Sequence, residues 1–202
     1  MSGTSAVSTH ALPLRRGDAL IVVDVQNDFL PGGALGVPLG TEVIPPLNFC
    51  IEEFERRQLP IFATRDWHPR NHCSFREQGG PWPPHCVAGT YGAEFPRRLR
   101  LPPDVRIISK ATRAEEEAYS GFQGTDLEHQ LHEAGCRRVF VGGVATEYCV
   151  RATVLDARAG GFEAVVIADA VRALAAQPGD SERALAQMRA SGAEIWRSLE
   201  LS

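Results

Sequence analysis

The stretch ALIVVDV, residues 19–25, decides the fold. It is a short, unbroken apolar run rich in β-branched side chains, the pattern of a strand buried on both faces. Such a strand belongs inside a mainly parallel sheet covered by helices. The downstream sequence agrees. Val43, Leu47, Ile51 and Phe54 recur at spacings of three and four, a helical stripe. The strand LPIFAT (59–64) follows, then a long connection over 65–92 and the strand VRIIS (105–109). TDLEHQLHEAG (125–135) predicts a helix, with Thr125 as N-cap, Glu128 completing a capping box and Gly135 as the stop. The strand RVFVGGV (138–144) runs into a helix from Thr146 to Ala159, ended by Gly160-Gly161. The strand EAVVIAD (163–169), a helix over 181–190 and a short strand at 194–196 complete the order. Strands alternating with helices imply parallel pairing and helices on both faces. The expected fold is one doubly wound α/β domain with a six-stranded sheet, over residues 18–202, preceded by a flexible N-terminal arm at 1–17.

Composition narrows the function. The chain has 202 residues and a net charge of −4, with no basic stripe of the kind that tracks a phosphate backbone, so nucleic acid is not expected as a partner. No apolar run reaches the roughly 20 residues of a membrane span, and the first residues lack a secretory apolar region. The cysteines (Cys50, Cys73, Cys86, Cys136, Cys149) are odd in number and have no CxxC spacing, which favours free thiols and a cytoplasmic setting.

In an open parallel sheet, ligands bind beyond the carboxyl ends of the strands. Four groups fall at that edge. Asp24 ends the first strand, Lys110 ends the third, Cys149 sits in the first turn after the fourth, and the segment DWHPRNH…PWPPHC leaves the second. A thiol in a first helical turn faces unpaired N–H groups, which predicts a lowered pKa; otherwise Cys149 is a small buried hydrophobe. Asp24 is either a turn cap or a working carboxylate, and Asp28, four residues on, fits turn capping better. Lys110 is the only lysine in a chain that otherwise uses arginine. A compact ammonium fits between a carboxylate and a thiolate where a planar guanidinium does not; the alternative is compositional chance. Asp66 and His68 stand two apart in an extended segment, and His85 follows. Two imidazoles and a carboxylate suit Zn²⁺, Fe²⁺ or Mn²⁺; otherwise they pin a long loop. Cys86, beside His85, reads as packed.

At these residues the sequence resembles the nicotinamidases of the isochorismatase-like cysteine hydrolase superfamily. The stretches that carry the likeness are DVQNDFLPGGAL, TRDWHP, NHCSF, GGPWPPHCVAGTYGAEF, ISKAT, EAYSGFQGTDL and GGVATEYCV. The resemblance implies a three-layer α/β/α fold and a catalytic Asp24–Lys110–Cys149 triad. It implies an oxyanion hole at Ala145 and Cys149 after a cis peptide at Val144–Ala145. It further implies one divalent metal, zinc first, on Asp66, His68 and His85, and substrate contacts from Phe29, Trp82 and Tyr119. His72 falls near the place of a fourth ligand in some members and is either that or an outer support. Tyr148 is a candidate for tuning substrate choice. The implied reaction is hydrolysis of nicotinamide to nicotinate and ammonia through a Cys thioester, in NAD salvage, with pyrazinamide as a second candidate substrate. The alternatives are a related carbamoyl- or ureido-compound hydrolase and, from another class, a non-catalytic metal- or redox-sensing protein. Isochorismatase itself, a vinyl-ether hydrolase, has no use for the Cys149 nucleophile, and no GxGxxG supports a dinucleotide site. Self-association is left open.

Overall fold

A computed structural model describes residues 11–175 and 177–201. Six strands form one sheet: β1 (Asp18–Val23), β2 (Ile61–Asp66), β3 (Arg106–Lys110), β4 (Arg138–Val144), β5 (Glu163–Arg172) and β6 (Glu194–Trp196). Their order is β3-β2-β1-β4-β5-β6 and every pairing is parallel. The opening stretch lies at the centre. Leu20 and Val22 enter the core on one face, while Ala19, Ile21 and Val23 enter the core on the other. The unbroken apolar run follows from that two-sided burial.

Helix α1 (Ile44–Arg56) covers the first face with Leu47, Ile51 and Phe54, all buried. Each such side chain contributes roughly 1.5–3 kcal/mol when fully removed from water. Helices α2 (Leu127–Glu133), α3 (Arg151–Ala159) and α4 (Asp180–Ala190) cover the second face through Leu127, Leu131, Val154 and Met188. The result is the three-layer arrangement.

Three local expectations differ from what is found. The capping box does not form. The Thr125 hydroxyl accepts from Leu127 N at 3.2 Å and donates to the Gly121 carbonyl, so it shapes the turn before α2. The Glu128 carboxylate instead lies 3.9 Å from His132 on the helix surface. The helix expected from Thr146 starts as a π-helical turn, Thr146–Val150, and becomes α-helical only at Arg151. Residues 1–10 of the expected arm, His10 among them, lie outside the described residues. The rest of that arm is tied down: Leu12 N donates to Glu200 O at 2.7 Å, and Arg138 reaches the Pro13 carbonyl at 2.9 Å.

The strand order reverses direction between β1 and β4. Gly143 lies in the left-handed region at φ 138°, and a Cβ there would stand 2.0 Å from the Val23 carbonyl oxygen. Its missing side chain lets the end of β4 close onto the end of β1, next to Asp24 and Ala145.

Candidate active site

The carboxyl ends of β1, β2 and β3 bring three charged side chains together. Asp66 and Lys110 are register partners across β2 and β3, and the Asp24 N–H donates to the Thr64 carbonyl at 3.2 Å. Asp24 has φ 50°, unusual for a residue with a side chain, so its carboxylate is fixed by a strained turn. Thr64 Oγ1 donates to Asp24 Oδ1 at 2.6 Å. Asp24 Oδ2 is 3.0 Å from Lys110 Nζ, yet it lacks the alignment of a hydrogen bond. That oxygen is the one with capacity to take a proton.

Lys110 Nζ directs its three N–H groups at Asp66 Oδ1, the Ala118 carbonyl at 3.0 Å and Cys149 Sγ at 3.5 Å, with Asp24 as a further anion beside it. A tetrahedral ammonium can serve such a cluster; a guanidinium plane cannot fit inside it. Burial pulls the Lys110 pKa down, but Asp24, Asp66 and Cys149 outweigh it and hold it well above the usual lysine value. Burial likewise raises the Asp24 carboxyl; Lys110 opposes the rise and Asp66 adds to it.

Cys149 lies in the π-helical turn, where Tyr148 N and Val150 N both donate to the Ala145 carbonyl, at 3.1 and 3.2 Å. The Val144–Ala145 peptide is cis. The sulfur comes within 4.8 Å of carboxylate oxygens of both Asp24 and Asp66. The expectation of a lowered thiol pKa is overturned. Burial raises it well above the ordinary value, Lys110 opposes, and Asp24 and Asp66 push it further up. At 5% exposure between two carboxylates, the helix-end field does not decide its charge. Burial thus favours the uncharged thiol over the thiolate.

Asp66, His68 and His85 also converge, each offering a ligand atom within 4.8 Å of the others. His68 Nδ1 donates to the His85 carbonyl at 3.0 Å, and His85 Nδ1 to the Pro83 carbonyl at 2.8 Å, which assigns both tautomers and frees both Nε2 atoms. His68 Nε2 is buried with no hydrogen-bond partner, and His85 Nε2 stands 4.0 Å from Asp66 Oδ2. Burial brings the His68 pKa down to about 3, so the ring is neutral and able to ligate. An orphaned buried nitrogen facing a carboxylate fits a divalent cation. His72 lies beside this set, and its ring nitrogens are engaged, although with His68 and Glu117 it also forms a group of ligand atoms within 4.8 Å. Its Nδ1 meets Ser74 Oγ at 2.7 Å, its Nε2 meets the Glu116 carbonyl at 3.0 Å, and its ring packs 4.2 Å from that of His68. Cys86 is buried and its N–H donates to Asp28 Oδ2 at 2.7 Å, while Asp28 Oδ1 accepts from Ala34 N at 3.3 Å, so Asp28 ties the 65–92 connection to its own turn.

One cleft joins the two clusters. Phe29, Asp66, Trp82, His85, Ala145 and Cys149 line it, and it encloses about 410 Å³ of space between atoms, part of it open to solvent. Tyr119 and Tyr148 border it as well; Trp82 Nε1 donates to Tyr119 Oη at 3.1 Å, and the Trp82 and Tyr148 rings meet edge-on at 5.3 Å. Two supporting residues escaped the sequence reading. Gln26, fully buried, brackets Asp66: its Oε1 accepts from Asp66 N and its Nε2 donates to Asp66 O, both at 2.8 Å. Thr64 holds Asp24. Both act over 40 residues of sequence, beyond any local spacing.

The chain matches the isochorismatase domain over residues 18–199. It is 36% identical to a nicotinamidase of Escherichia coli over 199 residues, covering 88% of this chain and 93% of the relative. Its structure is similar to that of a pyrazinamidase of Pyrococcus horikoshii in complex with zinc, with 56% identity, a TM-score of 0.86, and coverage of 90% of this chain and 99% of the other. It is also similar to PnC1 from L. infantum in complex with nicotinate, with 36% identity, a TM-score of 0.85 and 98% of both chains covered.

Proposed function

The chain belongs to the isochorismatase family, and from that premise we propose that it is a nicotinamidase, hydrolysing nicotinamide to nicotinate and ammonia in NAD salvage. It is a hydrolase acting on an amide C–N bond. The observation that carries the substrate is the shared cleft, whose lining brings Cys149, Asp66 and His85 together with the rings of Phe29, Trp82, Tyr119 and Tyr148.

As the Cys149 thiol attacks the carboxamide carbon, its proton passes to Asp24. The carbonyl oxygen takes the negative charge and is met by the N–H groups of Ala145 and Cys149; loss of one such donor costs about 3 kcal/mol of transition-state stabilisation. The C–N bond then breaks, Asp24 returns the proton to the departing nitrogen, and ammonia leaves a thioester on Cys149. Asp24 next takes a proton from water, the hydroxide adds to the thioester, and the C–S bond breaks to release the acid. The sulfur recovers its proton from Asp24. Lys110, 3.0 Å from Asp24, favours the ionised form of that carboxylate and balances charge on sulfur. Phe29 and Trp82 flank the ring. Asp66, His68 and His85 would hold a divalent ion, zinc in our reading, whose chemistry there is to accept the pyridine nitrogen and so fix the ring.

Pyrazinamide presents the same ring nitrogen and carboxamide, and we include it as a substrate. Five free cysteines fit a reducing, cytoplasmic location. Among the described residues no helix is long and apolar enough to cross a membrane. The test is ammonia release from nicotinamide with and without a chelator. Turnover that falls on chelation and returns with zinc supports the reading; no release from nicotinamide under either condition removes it.

A further inference from the structure

We propose that Glu147 is a positioning residue that sets the width of the ring-binding cleft by holding Leu174 in its wall; this rests on the nicotinamidase reading. Glu147 lies two residues before Cys149 in the π-helical turn and is only 8% exposed. Among the described residues no cation pairs with it. Its carboxylate instead accepts two main-chain N–H groups from the segment after β5, Ala175 N at 2.8 Å and Leu174 N at 3.3 Å. A buried carboxylate is costly unless it is paired or hydrogen-bonded, and these two bonds offset part of that cost. Here they hold a strained conformation, since Ala175 has φ 54°. Leu174 lines the same cleft as Cys149, Trp82 and Tyr148. The turn that carries the nucleophile thus also fixes an apolar wall of the pocket, so sulfur and wall are set relative to each other by one side chain. Such placement acts on binding and orientation rather than on bond making.

Three variants test it: Glu147→Gln, which retains one acceptor oxygen, Glu147→Ala, and Leu174→Ala, which removes the wall and leaves the clamp. Each is assayed with nicotinamide and with 5-methylnicotinamide, and amide hydrogen exchange is followed over residues 171–178. We expect Glu147→Ala to raise KM for nicotinamide about tenfold and Glu147→Gln about threefold, with kcat changed much less. Preference for nicotinamide over its methylated analogue should narrow in Glu147→Ala and Leu174→Ala alike. Exchange over 171–178 should quicken in both Glu147 variants. The proposal is overturned if kcat falls while KM and the preference stay as in the wild type, because Glu147 would then act through Cys149. It is also overturned if exchange is unchanged. Should the wild type release no ammonia from nicotinamide, the activity reading fails instead, and the exchange measurement still reports whether Glu147 holds the segment.

Discussion

Asp66 and Lys110 are register partners across β2 and β3, and their side chains form a buried ion pair. One carboxylate therefore belongs to two clusters. Its Oδ1 meets the ammonium that also faces Asp24 and Cys149, while its Oδ2 faces His85 Nε2. The β2–β3 pair thus supplies the contact at which the two clusters meet.

Lys110→Arg keeps the charge and should still cost most of the activity. A guanidinium cannot occupy a cluster built for the three N–H groups of a tetrahedral ammonium, so we expect kcat to fall on the order of a hundredfold or more with the fold retained. Steady-state ammonia release, with circular dichroism as the check on folding, decides it. Near-normal kcat would contradict this account of the single lysine.

Cys149 and His85 should separate cleanly. Cys149→Ala is expected to abolish turnover and leave metal content as in the wild type. His85→Ala should lower metal content and raise KM. Elemental analysis of the purified variants, set beside their kinetics, reads both effects. Metal lost from Cys149→Ala would place the sulfur among the ligands instead.

Gln26→Leu tests the bracket around Asp66. It leaves a buried N–H and carbonyl of Asp66 unpaired, and each such loss costs roughly 1–3 kcal/mol. The urea midpoint should drop accordingly, with metal affinity weakened as Asp66 shifts. An unchanged midpoint would mean that the bracket carries no stability.

His68 gives stability a pH dependence of definite sign. Burial brings its folded pKa down to about 3 from the ordinary 6.5. The unfolded chain takes up that proton as pH falls through about 6.5, the folded one only near 3. Between those values the unfolded state binds more protons. The contribution is therefore complete above the upper value and is lost downward, by at most about 1.4 kcal/mol per pH unit. Asp24, with its raised pKa, has the opposite sign. In metal-free protein, the urea midpoint should fall less steeply from pH 7 to pH 4 in His68→Phe than in the wild type. Parallel slopes would contradict the assignment.

Much of this was legible in the sequence because it is local or periodic. ALIVVDV shows two-sided burial directly, and GGVATEYC packs the close-approach glycines and the thiol into eight residues. The lone Lys110 stood out by composition. What escaped depends on distant partners or on the sum of opposing fields. Gln26 and Thr64 look like ordinary strand-edge residues until β1 and β2 lie side by side. The Cys149 turn promised a lowered pKa because spacing reveals a helix start; it does not reveal how much water the sulfur loses or that two carboxylates surround it. Thr125 and Glu128 have capping-box spacing, but the Thr125 oxygen accepts the N–H of Leu127 rather than that of Glu128, and the Glu128 carboxylate turns to His132.

The most direct test of the central claim is mass spectrometry of the protein quenched in acid during turnover of nicotinamide. The account predicts one nicotinoyl group on the peptide that contains Cys149, absent from Cys149→Ala and enriched when deacylation is slowed by limiting water. Active enzyme that never carries this adduct, or carries it on another cysteine, would contradict it.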